Sequence, residues 1–146
     1  MNRTSLRRTT VAQLRKDIAK YADLQVALDE GFVPAGPCAA SPNGGMGLHY
    51  LHPARMMAPV NTRAPQILLY EQTAKGVRLT GAEFFVADGD GDLTTDSDRR
   101  SLSGQPFDGP MPGHESGMPV HYDLHVWTDK ANPAGVFSPW KRKVSC

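Results

Sequence analysis

The side chains of this 146-residue sequence most suited to chemistry are histidines and glutamates set inside short apolar runs. His49 lies in Gly45-Met46-Gly47-Leu48-His49-Tyr50, and Glu71 closes the run Ile67-Leu68-Leu69-Tyr70. Glu83 lies in Gly81-Ala82-Glu83-Phe84-Phe85, and His125 in Val120-His121-Tyr122-Asp123-Leu124-His125-Val126-Trp127. An ionised carboxylate in such a setting is costly unless paired. A divalent cation offsets that cost and keeps imidazoles neutral. Two His with one or two Glu suit Zn, Fe, Mn or Cu, which the donor types alone do not distinguish. Such an ion could polarise a substrate oxygen or activate water. Glycines two residues before His49 and Glu83 suggest room for an ion beside them. The competing account is structural: Glu71 at a strand end in water, Glu83 paired with Arg78, Arg63 or a lysine, and His49 and His125 as hydrogen-bonded core residues.

Other candidates carry less. His114, in Pro112-Gly113-His114-Glu115, is a candidate for a mobile acid or base over a pocket, and His52 is a further histidine, while His121 and Asp123 either face the same site as His125 or face water at a sheet edge. Asp88-Gly89-Asp90-Gly91-Asp92 opens like a calcium loop, but Leu93 and Arg99 occupy the positions that need Gly and Glu. An acidic surface loop is the expectation there. No Gly-x-Ser-x-Gly turn is present, and Asn43-Gly44-Gly45-Met46-Gly47 precedes a strand, not the helix a phosphate loop needs.

The elements that must position these residues follow from periodicity. Val11, Leu14, Ile18, Tyr21, Gln25 and Leu28 recur at helical spacing, with Thr10 and Gln13 as a capping box and Gly31 and Pro34 as stop signals. They predict one amphipathic helix over about Val11 to Glu30. Gly31 to Gly45 reads as loop, and Met46 to Leu51 as a short strand. Gln66 to Gln72 and Val77 to Val86, joined by a tight turn, form a hairpin. Asp88 to Pro119 is a long loop, expected to roof a ligand pocket, and Val120 to Thr128 is the last strand. Side chains alternate along strands, so His121, Asp123, His125 and Trp127 share one face, as do Leu79, Gly81, Glu83 and Phe85. The fold class is α+β: an N-terminal amphipathic helix packed on a mainly antiparallel sheet of about four to six strands, with long loops. Residues 1–10 are expected to be a flexible basic lead-in, and residues 11–146 one domain.

Sixteen Lys and Arg against fifteen Asp and Glu give a net charge of +1, which argues against a phosphate-tracking nucleic-acid binder. No apolar run approaches the roughly 18–20 residues of a membrane span, and no apolar stretch follows the basic N-terminus as in an export signal. The two cysteines, Cys38 and Cys146, are expected to form a disulfide. The bridge would close a loop of roughly a hundred residues, worth about 4–5 kcal/mol in the chain-entropy account. Two free thiols in a reducing cytoplasm are the alternative.

Several of these segments together resemble a family of small, uncharacterised bacterial proteins. They are Gly31-Phe32-Val33-Pro34 before Cys38, the segment around His49, Leu68-Leu69-Tyr70-Glu71, Gly81-Ala82-Glu83-Phe84, Leu124-His125-Val126-Trp127, Asn132-Pro133-Ala134-Gly135 and Val144-Ser145-Cys146. The resemblance implies that His49, Glu71, Glu83 and His125 lie in shared motifs, and it brings no activity. Many such proteins carry export signals, so an extracytoplasmic location stands beside the cytoplasmic one that this chain suggests. The expectation is a small metal-binding protein with His49, Glu71, Glu83 and His125 as ligands. It is either a metal-dependent enzyme acting on a small organic molecule, or a non-catalytic ligand-binding or interaction module in which those residues are structural.

Overall fold

The computed structural model describes residues 3–41, 44–113, 118–129 and 136–137. The N-terminal segment is helical: α1 (Arg3–Ile18), a 3-10 turn (Ala19–Ala22) and α2 (Leu24–Asp29). Thus α1 takes in most of the basic stretch, and Thr10 sits inside it, its hydroxyl meeting that of Ser103. The apolar stripe is rephased midway. Asp23 caps a fresh helix by accepting from the Gln25 amide at 3.0 Å, and the 3-10 turn advances the chain by more than the α angle per residue. Leu14, Ile18 and Tyr21 are buried as the spacing requires, but Ala27 is buried in place of Leu28, which is exposed. The helix ends where expected. Gly31 adopts φ +107°, its N–H donates to the Leu28 carbonyl, and Phe32 N–H donates to the Ala27 carbonyl. This bonding pattern is the Schellman motif.

Six strands form one antiparallel sheet: β1 (Val33–Ser41), β2 (Gly44–Leu51), β3 (Ile67–Thr73), β4 (Gly76–Ala87), β7 (Asp108–Met111) and β8 (His121–Trp127), in the order β1-β2-β3-β4-β8-β7. A separate small hairpin joins β5 (Ser101–Leu102) and β6 (Gln105–Pro106). β1 occupies a segment whose prolines and glycines read as loop. It is an edge strand with register shifts between Ala35 and Ala40, where missing N–H donors do little harm. The β3–β4 hairpin is where the alternation placed it, but an irregularity at Leu69/Tyr70 breaks the alternation, so Leu79 packs on the helix-side cluster and not on the face of Gly81, Glu83 and Phe85.

The sheet buries both faces. On one, Leu68, Tyr70, Ala82, Phe84, Tyr122, Leu124 and Val126 pack with Leu14, Ile18, Tyr21 and Ala27 of the helical segment and with Phe32 just past it. Tyr70 anchors this layer by donating its hydroxyl to the Tyr21 carbonyl at 2.6 Å. On the other, Ile67, Leu69, Phe85 and Trp127 form a second cluster with Leu51, Met56, Ala87 and Met118.

The Asp88–Pro119 segment differs from the expected roof. Asp98 accepts from the Tyr122 hydroxyl at 2.8 Å, Arg99 lies over the Tyr122 ring, and Phe107 is buried in the helix-side core. The stretch from Asp98 to Phe107 therefore closes over the helix side. Its acidic stretch folds on itself: Asp88, Asp90 and Asp92 accept from amides two residues ahead, the Asx-turn habit of these side chains. Among the described residues, no helix is long and apolar enough to cross a membrane. Cys38 lies on β1, whereas Cys146 and His114 lie outside the described residues, as do the bridge and the acid/base role expected of them.

Candidate metal centre

The second face of the sheet is apolar at one end and polar in the middle. Alternation sends His121, Asp123, His125 and Trp127 of β8 to this face, and Gly81, Glu83 and Phe85 of β4 beside them. Register then pairs Glu83 directly with His125. On the far side of β3, His49 lies opposite Leu69, which lies opposite Gly81. His49 therefore reaches across β3 toward Glu83. All seven residues of β8 are buried, because β4 and β7 flank it and both faces are covered.

Among the described residues, two groups place one ligand-competent atom per residue within 4.8 Å of one another: His49, Glu83 and His125, and Asp108, Asp123 and His125. In the first group, His125 Nε2 lies 2.6 Å and His49 Nε2 3.7 Å from the same oxygen, Glu83 Oε1. The His49 and His125 rings stand edge-on, with centroids 6.1 Å apart. His125 is 1% exposed and Glu83 6%, whereas the His49 side chain retains 17%. Solvent thus reaches the group from the His49 side. Despite the short ion-pair contact, neither ring nitrogen of His125 makes an aligned hydrogen bond, and both are buried. Nε2 has the Glu83 oxygen beside it, but Nδ1 has no hydrogen-bond partner, which is uncommon for a buried nitrogen in folded proteins.

Electrostatics follow from this packing. Burial works against the charged form of His125, but Glu83, with help from Asp123 and Asp108, outweighs it and pushes the imidazole up to about 9. Burial works against ionised Glu83 too, yet His125 and then His49 hold its carboxyl well below the usual carboxylate range. Burial, and then the neighbouring Asp123, push Asp108 up. His121 is opposed by burial and raised by Asp123, whose Oδ2 lies 3.6 Å from its Nε2. Its Nδ1 meets the Pro119 carbonyl at 3.0 Å, and its ring stacks on Phe85 at 4.7 Å.

Glu71 takes a different place. It shares a face with His49, but Arg78, directly opposite in register, pairs with it at 3.3 Å and also binds Asp129. It belongs to neither convergent group. His52 is structural: its Nε2 lies 2.8 Å from the Glu30 carbonyl at the helix end, and its ring meets Phe32 edge-on. The two glycines also serve the backbone. A Cβ at Gly81 would sit 2.1 Å from the Val126 carbonyl oxygen, so β8 fills the space expected to lie beside an ion. Gly47 adopts φ +83° at the irregular β1–β2 pairing.

Asp108 escapes sequence reasoning because β7 is only four residues long and carries Gly109 and Pro110. Asp123 is legible from alternation along β8. A cleft of about 570 Å³, lined by residues that include Arg55, Val60, Asn61 and Leu102, contains none of the convergent side chains. No family model matches this chain, and neither does any curated protein or solved structure.

Proposed function

We propose that this protein binds a divalent transition metal through His49, Glu83 and His125. The observation that carries the reading is the convergence of three donor atoms from three strands within 4.8 Å, on a buried imidazole whose nitrogens have no aligned hydrogen bond. Two nitrogens and one carboxylate suit Zn, Fe(II), Mn or Cu. Three protein donors, with Glu71 held by Arg78, match the count of sites that keep a coordination position open. That position would face the His49 side, where a small organic molecule or water could reach it. The ion would act as a Lewis acid there. The chain's own residues would hold the ion and fix the rings, and Phe85, Trp127 and Leu69 would keep bulk water out.

A second reading has one observation in its favour. The 2.6 Å contact between Glu83 and His125 already balances one charge with another, as a structural ion pair would. Metal analysis separates the two. The full chain, purified without an affinity tag that binds metal, is stripped with chelator and titrated with Zn²⁺ and Mn²⁺. Binding of at least one equivalent, with one equivalent lost in His49→Ala and binding weakened in Glu83→Gln, is the expected result. Less than a tenth of an equivalent of any transition metal, before and after titration, supports the ion pair alone.

A further inference from the structure

Two edges of one imidazole face two different sets of donors. Nε2 of His125 faces Glu83 and, behind it, His49. Nδ1 of the same ring lies 4.0 Å from Asp123 Oδ1, and Asp108 completes that second group within 4.8 Å. Register makes the arrangement regular: Glu83 pairs with His125 across β4 and β8, and Asp108 pairs with Asp123 across β7 and β8.

The Asp108–Asp123 pair is physically awkward by itself. Like charges placed directly opposite on neighbouring strands are destabilising. Here one carboxylate is 3% exposed, and the other has a buried Oδ2 with no hydrogen-bond partner. His121 serves the far oxygen of Asp123, leaving Oδ1 turned toward His125. The independent sign of a ligand is His125 itself, 1% exposed, with an Nδ1 that has no hydrogen-bond partner.

We propose that His125 bridges two divalent cations, one held with Glu83 and His49 at Nε2 and the other with Asp123 and Asp108 at Nδ1. This rests on the metal-binding reading above and deepens it. A neutral imidazole has one lone pair to offer, because its other nitrogen carries a proton, so a bridge needs the imidazolate. Starting from the imidazolium, loading both positions releases two protons to the buffer. Charge then closes: two divalent cations balance Glu83, Asp123, Asp108 and the imidazolate, leaving His49 and His121 neutral. With His49, His121 and His125 neutral, one cation alone would leave one negative charge unbalanced. The positions differ in character. The first has two nitrogens and one oxygen, and the second one nitrogen and two oxygens, so the second favours the harder ions.

The test uses the chelator-stripped full chain and metal ions alone. Native mass spectrometry during Zn²⁺ titration should show two equivalents in the wild type and one in Asp108→Asn and in Asp123→Asn. Electron paramagnetic resonance gives a readout that needs no variant. With Cu²⁺, the first equivalent should give its full integrated signal, and the second should lower the total at low temperature, because an imidazolate couples the two spins. Two equivalents with an undiminished, additive copper signal overturn the bridge. One equivalent in wild type and variants alike overturns the second position and leaves the His49–Glu83–His125 reading intact. No binding overturns both.

Discussion

The Glu83–His125 pair gives the metal-free protein a pH signature that a bound cation should reverse. His125 rises from 6.5 to about 9 because the nearby carboxylates outweigh its burial. A rise of that size corresponds to roughly 3 kcal/mol of folding stability, at about 1.4 kcal/mol per pH unit. The folded value lies above the unfolded one, so this contribution is complete below about pH 6.5 and is lost as pH climbs through about 9. Glu83 is shifted the other way, so its contribution is complete above the ordinary carboxylate range and is lost only as pH falls beneath it. Chelator-treated protein should therefore lose about 3 kcal/mol between pH 6.5 and 9.5. With a urea slope on the order of 1.5–2 kcal/mol/M, the unfolding midpoint should drop by roughly 1.5–2 M. Zinc must displace the His125 proton, so its apparent affinity should rise about tenfold per pH unit for each proton displaced. The gap between zinc-loaded and chelator-treated midpoints should accordingly widen from pH 6.5 to 8.5. Glu83→Gln is the control: burial then opposes the imidazolium with less help, and the pH slope should flatten. His121 titrates in both proteins, so the difference between them isolates the pair. Equal slopes in wild type and Glu83→Gln would refute the electrostatic account of the site.

Two further outcomes follow from the packing, and a third from the sequence. Glu71→Gln should leave metal stoichiometry unchanged and cost no more than about 1 kcal/mol, since it breaks a partly exposed pair with Arg78; a lost equivalent in mass spectrometry would place Glu71 in the site. Gly81→Ala should cost roughly 3 kcal/mol or prevent folding, because the added carbon falls on the Val126 carbonyl, and a urea midpoint matching the wild type would show that β4 and β8 can separate freely. The Cys38–Cys146 bridge expected from the sequence would leave no titratable thiol in unreduced, denatured protein, and two thiols in that assay would remove it.

How much of the fold and site is legible in the sequence depends on the length of each element. The β3–β4 hairpin and β8 are long and alternate, so alternation alone assigns their inward residues, including Glu83, Asp123 and His125, to one face. The helix is visible from Leu14, Ile18 and Tyr21, but its phase change at Asp23 is not, because Leu28 fits the same spacing that Ala27 takes over. β1 is hidden by prolines that an edge strand tolerates, and β7 by its brevity. Missing β7 means missing Asp108. Glu71 looks like an equal of Glu83 because alternation gives a side, not a partner. Only cross-strand register shows that Arg78 faces Glu71, whereas His125 faces Glu83.

The two faces of the sheet divide the work. The helix side holds most of the large buried apolar side chains and so supplies most of the hydrophobic stabilisation. The opposite face places three carboxylates around one buried imidazole, at positions where apolar residues of similar volume would satisfy the fold equally well or better. Removing one partner of such a cluster leaves an uncompensated charge, so the cluster is a liability for stability unless something else compensates it. A cation does so for several groups at once, which is the physical reason to read this face as a binding site and not as a second core. If that reasoning holds, replacing Glu83 and His125 by Leu and Phe, with Asp108 and Asp123 also changed to Asn, should stabilise the chelator-treated protein or leave it unchanged, while abolishing metal binding. Strong destabilisation of that fourfold variant, measured by urea unfolding, would mean that the polar cluster is there to hold the sheet together.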